Sequence, residues 1–526
     1  MKILITDKFA PEGVEVFKQA PGLTVDYRPG TKPDELKEII KDYDGLAVRS
    51  ATKVTREIID AGKKLRVIGR AGIGVDNIDV DYATQKGIVV MNTPGGNAVT
   101  TGEHTISLML ALARKIPQAY YSMKQKKWEK GKFTGVEIQG KILGIIGLGN
   151  IGRVVADRAL GLKMKVIAYD PFVSEEVARK LGVELVNLDE LLSRSDFISL
   201  HIPKTEETKN LIRKETLSKM KDGVRIINCA RGGIVNEKDL LEAIKSGKVA
   251  GVALDVFETE PPDFESELFE LKEAIFTPHL GASTGEALVN VSVTIARQMV
   301  DYLLNGVITN AVNFPSVSKE LLIQLKPYLN LAERMGRLAG QLLSSLQGVE
   351  IEYQGEVAEV DTRPVTHSLL KGLLESFMDE PVNYVSAPVI AKARGIMVRE
   401  TQSTESGDFT SLIWLRIQDQ KPELSEIAGT LFGKVHPRIV QIGGISLDAY
   451  PEGYVLVIRN YDKPGVIGNI GSLLARYQIN IARFQLGRKE GEAICMVNID
   501  SPVPEEALEE IRKLPNIISA HQVYLS

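Results

Sequence analysis

Short apolar runs recur through the first 95 or so residues: KILITD, LTVDYR, GLAVRS, LRVIGRAG and GIVVMNTP. Between them lie helical patterns, PDELKEIIKDY and the stretch from VTREIID onward. Strands alternating with amphipathic helices predict a parallel sheet covered on both faces. TTGEHTISLMLALARKI then predicts a long helix, with Thr100 or Thr101 as its cap. A second alternating series opens at KILGIIGLGNIG, with strands ILGIIG, KVIAYD, FISLHI, VRIINCA, VAGVALDV and AIFTPH. Six strands with intervening helices make a doubly wound unit of their own.

Beyond it the period changes. ASTGEALVNVSVTIARQMVDYL predicts one helix carrying Val289, Val293, Ala296 and Val300 on one face. After a joint at Asn313, Phe314 and Pro315, the stretch from PSVSKELL to AGQLL predicts another helix. Residues 349–448 mix strand and helix patterns and end at Pro451 and Gly453, which read as a linker. The remainder reads strand, helix, strand, strand, helix, strand, a βαββαβ ferredoxin-like unit.

Composition narrows the function classes. The 526 residues exceed one hydrophobic core and imply three or four domains. The 44% hydrophobic and 25% charged fractions are those of an ordinary globular protein. A net charge of −4 without a basic surplus argues against nucleic acid. KQKKWEKGK is too short and interrupted to change that, and reads as a solvated or interface segment. No apolar run reaches a membrane span of ~18 residues. Two cysteines, Cys229 and Cys495, cannot form a disulfide framework. With a strand at the very start and no leader pattern, the expectation is a cytoplasmic protein.

GLGNIG sets Gly147, Gly149 and Gly152 between the strand ILGII and a helix. The first glycine allows the turn, the second lets a pyrophosphate approach, and the third permits close helix packing. The helix N-terminus adds free N–H groups and a positive dipole end. Asp170 ends the next strand about 18 residues past Gly152, close to the spacing of the dinucleotide fingerprint. A carboxylate there accepts from ribose hydroxyls and repels a 2′-phosphate, so the expected cofactor is NAD.

Three later strands end in reactive side chains. NCARGG ends with Arg231, LDVFETEPP with Asp255, Glu258 and Glu260, and TPHLGAS with His279. Parallel sheets bind ligands at the carboxyl ends of their strands, so these residues are expected at one crevice. Alcohol oxidation needs a proton acceptor on the hydroxyl, and imidazole, with a reference pKa of about 6.5, suits that task. Glu260 would lock the His279 tautomer, and Arg231 would hold a substrate carboxylate with its planar fork. The small residues after His279 leave room for nicotinamide and substrate.

GLGNIG with YDP, NCARGGIV, LDVFETEPP and TPHLGAST resemble the D-isomer-specific 2-hydroxyacid dehydrogenases, whose catalytic trio is Arg, Glu and His. VRSATKVT, RAGIGVDNID and NTPGGNAVTTGEHT are similar to the members of that family acting on 3-phosphoglycerate. APVIAKARGI and GTLFGKVHPRIVQIGG resemble the intervening domain of their long form, and DKPGVIGNIGSLLARYQINIA an ACT regulatory domain. The resemblance implies an α/β chain of four parts. These are a flavodoxin-like substrate-binding domain at 1–97, completed by 283–310, and a Rossmann NAD-binding domain at 98–282. A mixed α+β intervening domain follows at 311–450 and an ACT domain at 451–526. It implies NAD-dependent oxidation of D-3-phosphoglycerate to 3-phosphohydroxypyruvate, the first step toward L-serine, in a homo-oligomer, a tetramer.

Residue by residue, it implies cofactor contacts at Gly147, Gly149, Asn150, Ile151, Gly152, Asp170, Pro171, Ile202, Pro203, Cys229, Ala230, Asp255, Gly281 and Ala282. Ile202 stands where relatives often carry a hydroxyl. Substrate contacts fall on Arg49, Ser50, Ala51, Arg70, Gly72, Ile73, Gly74 and Asn97, with Lys130 or Lys132 from another subunit as further phosphate ligands. Substrate would bind in a cleft between the first two domains. In the ACT domain Asn460, Asp462, Gly465 and Asn480 would take an amino-acid effector such as L-serine. A serine-binding relative has histidine and asparagine where this chain has Asn460 and Asp462, and a pure dimerisation module is the alternative there. Arg394, His436 and Arg438 are candidate anion ligands of the intervening domain. Reduction of glyoxylate or hydroxypyruvate, and a non-enzymatic NAD-sensing scaffold, are the alternative functions. A scaffold has no need to keep Arg231, Glu260 and His279 together.

Overall fold

The computed structural model describes residues 1–315, 319–343, 346–378, 382–418 and 424–525. Chain contacts divide these into two compact units. One comprises Met1–Lys8, Val14–Asn92 and Ile295–Ser526, the other Phe9–Gly13 and Thr93–Thr294.

The first unit opens with five parallel strands in the spatial order Thr24–Tyr27, Lys2–Ile5, Gly45–Val48, Val67–Arg70, Val89–Met91. This is the flavodoxin-like order, with all five expected strands present. Buried Ile3, Leu4, Leu46, Ile68 and Val90 fill its core. The first half of the following helix, Gly285–Asn305, belongs to the other unit. Its buried stripe is Val291, Ile295, Met299 and Leu303, not the valine face expected; only Ala296 of that set is buried. The longer side chains at a four-residue spacing win the sheet-facing positions over Val289, Val293 and Val300. Met299 seats over Gly69, where a Cβ would stand 2.2 Å from its sulfur.

Further along the same unit lies a mixed six-stranded sheet in the order Met397–Ser403, Gly348–Gly355, Ser411–Gln418, Glu426–Phe432, His436–Ile442, Ile445–Ala449. Helices Lys319–Leu342 and Arg363–Glu375 pack together above it, Gly336 so close to the Leu369 carbonyl that a Cβ would meet it at 2.1 Å. Of the predicted helix from PSVSKELL onward, residues 316–318 lie outside the described residues. The linker at Pro451 is a tied joint. Its carbonyl accepts from Arg334 at 2.9 Å, and Asn498 donates to the Tyr450 and Glu452 carbonyls. The final antiparallel sheet runs Ile481–Lys489, Glu492–Ile499, Tyr454–Tyr461, Ile517–Tyr524, with helices Val466–Arg476 and Glu505–Arg512, the ferredoxin-like unit expected.

The second unit holds a parallel sheet in the order Ala274–Phe276, Val249–Leu254, Val224–Asn228, Phe197–Leu200, Ile142–Ile146, Lys165–Tyr169, Glu184–Leu185. It has seven strands instead of the six expected, because the two-residue edge strand Glu184–Leu185 is too short to show a pattern. The long helix is Ala98–Arg114. It starts at Asn97, ahead of the threonines expected to cap it, and the Thr101 amide already bonds the Asn97 carbonyl at 3.0 Å. Among the described residues no helix is long and apolar enough to cross a membrane.

Two histidines are partly buried as neutral rings. His201 Nε2 lies 2.7 Å from Ser199 Oγ, and burial pushes its pKa down to about 3. His367 Nδ1 lies 3.0 Å from the Tyr384 carbonyl, and burial, partly opposed by that bond, lowers it to about 4. Both values lie below the ~6.5 of an exposed histidine, so below that pH the unfolded chain takes up protons the folded chain refuses. This contribution to stability is complete above about pH 6.5 and is lost as pH falls toward 4, at up to about 1.4 kcal/mol per pH unit for each ring. The urea midpoint, followed by circular dichroism, is expected to drop between pH 7 and 5, and His367→Gln to flatten the drop. Identical wild-type midpoints at the two pH values would contradict this.

Candidate active site

In the second unit the glycine-rich turn leaves the strand Ile142–Ile146 and enters the helix Asn150–Gly161. Gly147 has φ of +95°, and a Cβ there would lie 2.6 Å from the His201 carbonyl oxygen. A Cβ on Gly152 would lie 2.1 Å from the Gly147 carbonyl, so only glycine lets the helix start this near the strand. At Gly149, by contrast, a Cβ would face open space. A helix N-terminus with clear room in front of its second glycine fits a pyrophosphate. Asn150 is exposed and Ile151 partly buried at the start of that helix. Asp170 receives the Leu148 amide at 2.8 Å through one oxygen and the Phe172 amide at 2.8 Å through the other. It thereby ties the turn to the end of the next strand, where Pro171 and Phe172 are exposed. Ile202 is partly buried and Pro203 exposed after the neighbouring strand. The Cys229 side chain is packed in the core with Ile106, Met109 and Ile145, and burial pushes its thiol up to about 12. Its side chain is therefore no cofactor ligand, and any contact from Cys229 or the buried Ala230 is through the backbone.

The reactive residues come from three strand ends. After Val224–Asn228, Asn228 Nδ2 donates to the Arg231 carbonyl at 3.0 Å and shapes the turn. Gly232 then passes so near the next segment that a Cβ would stand 1.6 Å from the Phe257 carbonyl oxygen. That approach sets the Arg231 turn against the segment leading to Glu260. Arg231 donates to the Ala230 carbonyl at 2.7 Å. Glu258 and Glu237 exchange amide-to-carboxylate bonds, which places Glu258 as a brace. Glu260 accepts from the Phe257 amide at 3.2 Å, and its other oxygen lies 2.8 Å from His279 Nδ1. A carboxylate facing Nδ1 requires the proton on that nitrogen, which leaves Nε2 as the acceptor. The side chains are 51% and 39% exposed, so the pair is open to a ligand. Beside them lies a cavity of about 580 Å³ walled by Phe257, Phe264, Phe269, Phe276, Pro261 and Pro278.

His279 itself is left-handed, with φ of +55°, which costs a non-glycine residue on the order of 1–3 kcal/mol. Asp255 holds it there. The His279 amide donates to the Asp255 carbonyl at 2.9 Å, and the Leu280 and Gly281 amides donate to its two carboxylate oxygens at 2.7 and 2.8 Å. Thr277 Oγ1 donates at 2.6 Å, and His104 Nε2 lies at 3.3 Å. The Asp255 side chain is fully buried and both its oxygens accept from the loop and its neighbours, so it supports the loop that carries His279. His104 was not singled out in the sequence, because nothing local distinguishes it from its helix neighbours. Gly281 is buried and Ala282 half-buried on the loop. The Asn97 Oδ1 is buried and has no hydrogen-bond partner among the described residues.

In the first unit Val48 and Arg70 are register partners at adjacent strand ends, which brings Arg49 beside Arg70. Asp7 accepts the Arg49 amide at 2.6 Å and the Thr52 hydroxyl at 2.7 Å, and Asn77 donates to the Arg49 and Thr52 carbonyls. Both braces were missed in the sequence, where each reads as an ordinary turn residue. Arg49 Nε is buried and has no hydrogen-bond partner among the described residues. Burial lowers the pKa of its guanidinium, against the attraction of Asp7. The Arg70 guanidinium lies over Gly72, where a Cβ would be 1.7 Å from Nη1. Ser50 and Ala51 are exposed, Ile73 and Gly74 partly so. Lys130 is exposed, and Lys132 is paired with Glu129 at 2.7 Å.

The ACT-like sheet alters one expectation. Asn460 lies on an inner strand, buried at 3% exposure, donating to the Tyr461 carbonyl and accepting from the Cys495 thiol at 3.5 Å. It alternates onto the same face as Leu456 and Ile458, which lie in the core, and so its side chain is not at the surface. Asp462 is exposed and 3.5 Å from Arg488. Gly465 opens the helix with φ of +93°, and Asn480 donates to Asp500 at 2.7 Å. His436 and Arg438 share a cavity of about 430 Å³ with Arg334, Arg483, Tyr450 and Glu452, and the Arg438 and Arg483 guanidinium carbons stand 3.5 and 3.9 Å from the Tyr450 ring centre. Arg394, the C-cap of helix Ala387–Ala393, does not line it.

Known families account for three of these parts. Residues 106–281 match the D-isomer specific 2-hydroxyacid dehydrogenase NAD binding domain, 324–443 the D-3-phosphoglycerate dehydrogenase intervening domain, and 454–516 the ACT domain. The chain is 45% identical, over its whole length and 95% of the relative, to D-3-phosphoglycerate dehydrogenase of Synechocystis sp.. It is 44% identical to the enzyme of the same name from Archaeoglobus fulgidus, over the full length of both. The chain belongs to the D-3-phosphoglycerate dehydrogenase family. D-lactate dehydrogenase from Aquifex aeolicus, solved as a complex with NAD and lactic acid, covers 60% of this chain and all of its own at 30% identity and a TM-score of 0.51. The cofactor of this family is NAD, and the open cradle at Gly149 with Asp170 beside it suits that dinucleotide. On the expectation that Asp170 meets the ribose, kcat/KM is expected to favour NAD over NADP by about 100-fold or more, measured by reduced-nicotinamide absorbance. Equal values for the two cofactors would remove Asp170 from the ribose site.

Proposed function

We propose that the chain oxidises D-3-phosphoglycerate to 3-phosphohydroxypyruvate by means of Arg231, Glu260 and His279. The observation that supports this most directly is the 2.8 Å contact between Glu260 and His279 Nδ1. NAD, when bound, supplies the hydride acceptor. His279 Nε2 takes the hydroxyl proton as the carbon–hydrogen bond breaks, so the alcohol loses one hydride and one proton and becomes the ketone. Glu260 stays ionised, keeps the proton of Nδ1 in place and balances the imidazolium that forms. Arg231 holds the substrate carboxylate through two N–H groups. Arg49 and Arg70 supply positive charge for the phosphate; the buried, unsatisfied Arg49 Nε supports that role.

His279→Ala is expected to lower kcat by about 10²–10⁴-fold, the usual contribution of a general acid–base group, with NADH affinity unchanged by fluorescence titration. Near-wild-type turnover would remove His279 from the chemistry. Arg49→Ala is expected to weaken use of the phosphorylated acid by at least about tenfold more than that of an unphosphorylated 2-hydroxy acid. An equal loss on both would instead support a relative acting on unphosphorylated acids.

For the ACT domain, we infer an amino-acid effector at the turn of Asp462 and Gly465, with the buried Asn460 as its support. L-serine at millimolar concentration is expected to lower the rate, and Asp462→Ala to change that response. A rate indifferent to L-serine would favour an assembly role for this domain.

A further inference from the structure

We propose that His104 is a positioning residue for the His279 imidazole, acting through the Asp255 carboxylate; this rests on the reading of His279 given above. Three consecutive amides, those of His279, Leu280 and Gly281, all end on Asp255 at 2.7–2.9 Å. The His279 amide ends on the Asp255 backbone carbonyl and the next two on its carboxylate, so the loop that leaves the left-handed His279 is held by the placing of that one side chain. The carboxylate is in turn held by donors. Thr277 comes from the same strand end, so it moves with the loop it would have to hold. His104 comes from elsewhere. It stands on the helix Ala98–Arg114, 151 residues away in sequence, with Nε2 3.3 Å from both Asp255 Oδ1 and Thr277 Oγ1. Burial works to raise the Asp255 pKa, but the donors from His104, Thr277, Leu280 and Gly281 outweigh it, and the acid is held below the usual carboxylate range. Facing an ionised carboxylate, Nε2 is the protonated nitrogen and donates. His104 is thus the side chain that ties the support of the catalytic loop to the rigid helix beneath the sheet.

His104, Asp255 and Cys229 also have ligand atoms within 4.8 Å of one another, a spacing that could hold a metal ion. The chemistry of the set favours hydrogen bonding. The Cys229 thiol is kept protonated by burial, with a pKa pushed up to about 12, and both Asp255 oxygens already receive backbone N–H donors.

The test compares His104→Leu, which removes the donor, with His104→Gln, whose amide nitrogen can reach the place of Nε2, in the full-length chain. For His104→Leu, kcat for 3-phosphoglycerate oxidation is expected to fall about tenfold while KM for NAD stays within about twofold. The primary isotope effect on kcat with 2-deuterated substrate is expected to rise, because the chemical step has slowed. His104→Gln is expected to recover kcat to within about twofold of wild type. A purely structural role would lower the melting temperature and leave the isotope effect and KM unmoved. Should His104→Leu fail to fold, Thr277→Val removes the other side-chain donor to the same oxygen and is expected to lower kcat by about threefold or more, again with a larger isotope effect. A readout independent of turnover is the rate at which diethyl pyrocarbonate modifies His279, followed by peptide mass. It is expected to change in His104→Leu and not in His104→Gln. Wild-type enzyme inactive on 3-phosphoglycerate would overturn the substrate assignment alone, and the modification rate would still decide on His104. Unchanged kcat in the folded leucine variant, or an unchanged modification rate, overturns the proposal.

Discussion

A carboxylate taken wholly out of water must be surrounded by donors, and Asp255 meets that requirement with the backbone of the segment that follows it. Two amides turned toward that side chain, and a third toward the backbone carbonyl of the same residue, leave the segment little conformational choice. The left-handed residue at its start, unfavourable by itself, becomes the arrangement in which the buried charge is matched. Everything on the reactive side follows from this. The imidazole projects outward because its backbone is gripped from below, Glu260 can reach Nδ1, and Nε2 is left facing the open side. An apolar wall of phenylalanines lies beside the pair, which itself stays open to solvent and ligand.

The same device recurs in the first unit with different residues. Asp7 collects the Arg49 and Thr52 amides and the Thr52 hydroxyl, while Asn77 takes the carbonyls of the same loop. An acidic side chain at a strand end thus shapes a loop whose own side chains stay available. In both units the residues that would meet a ligand are distinct from those that hold the loop in place.

That division explains what was legible in the sequence. Strands, their order of appearance and the dinucleotide turn could be read because each leaves a local trace, either a period of apolar residues or glycine where a Cβ has no room, as at Gly147 and Gly152. Arg231 and His279 could be read because each follows an apolar strand next to small residues, and Glu260 because it follows another just before two prolines. The supports could not. Asp255 looks like one more polar residue near a cofactor, and nothing in TGEHTISLML says that a carboxylate 151 residues later lies against that histidine. Periodicity also misled where two stripes compete. The helix Gly285–Asn305 carries valines on one face and Ile295, Met299 and Leu303 on another, and the volume available at Gly69 decides for the second. The ACT resemblance offers Asn460 as an effector ligand, but strand alternation sets it on the core-facing side with Leu456 and Ile458.

The burial of the two cysteines has a consequence outside catalysis. Only the thiolate reacts readily with oxidants and electrophiles, and both sulfurs sit behind the protein surface with their thiols pushed up to about 12. Peroxide or alkylating agents therefore find no ready cysteine thiolate among the described residues, although Cys229 stands two residues before Arg231 at the same strand end. Inactivation of such an enzyme through its cysteines would wait until the fold itself opened.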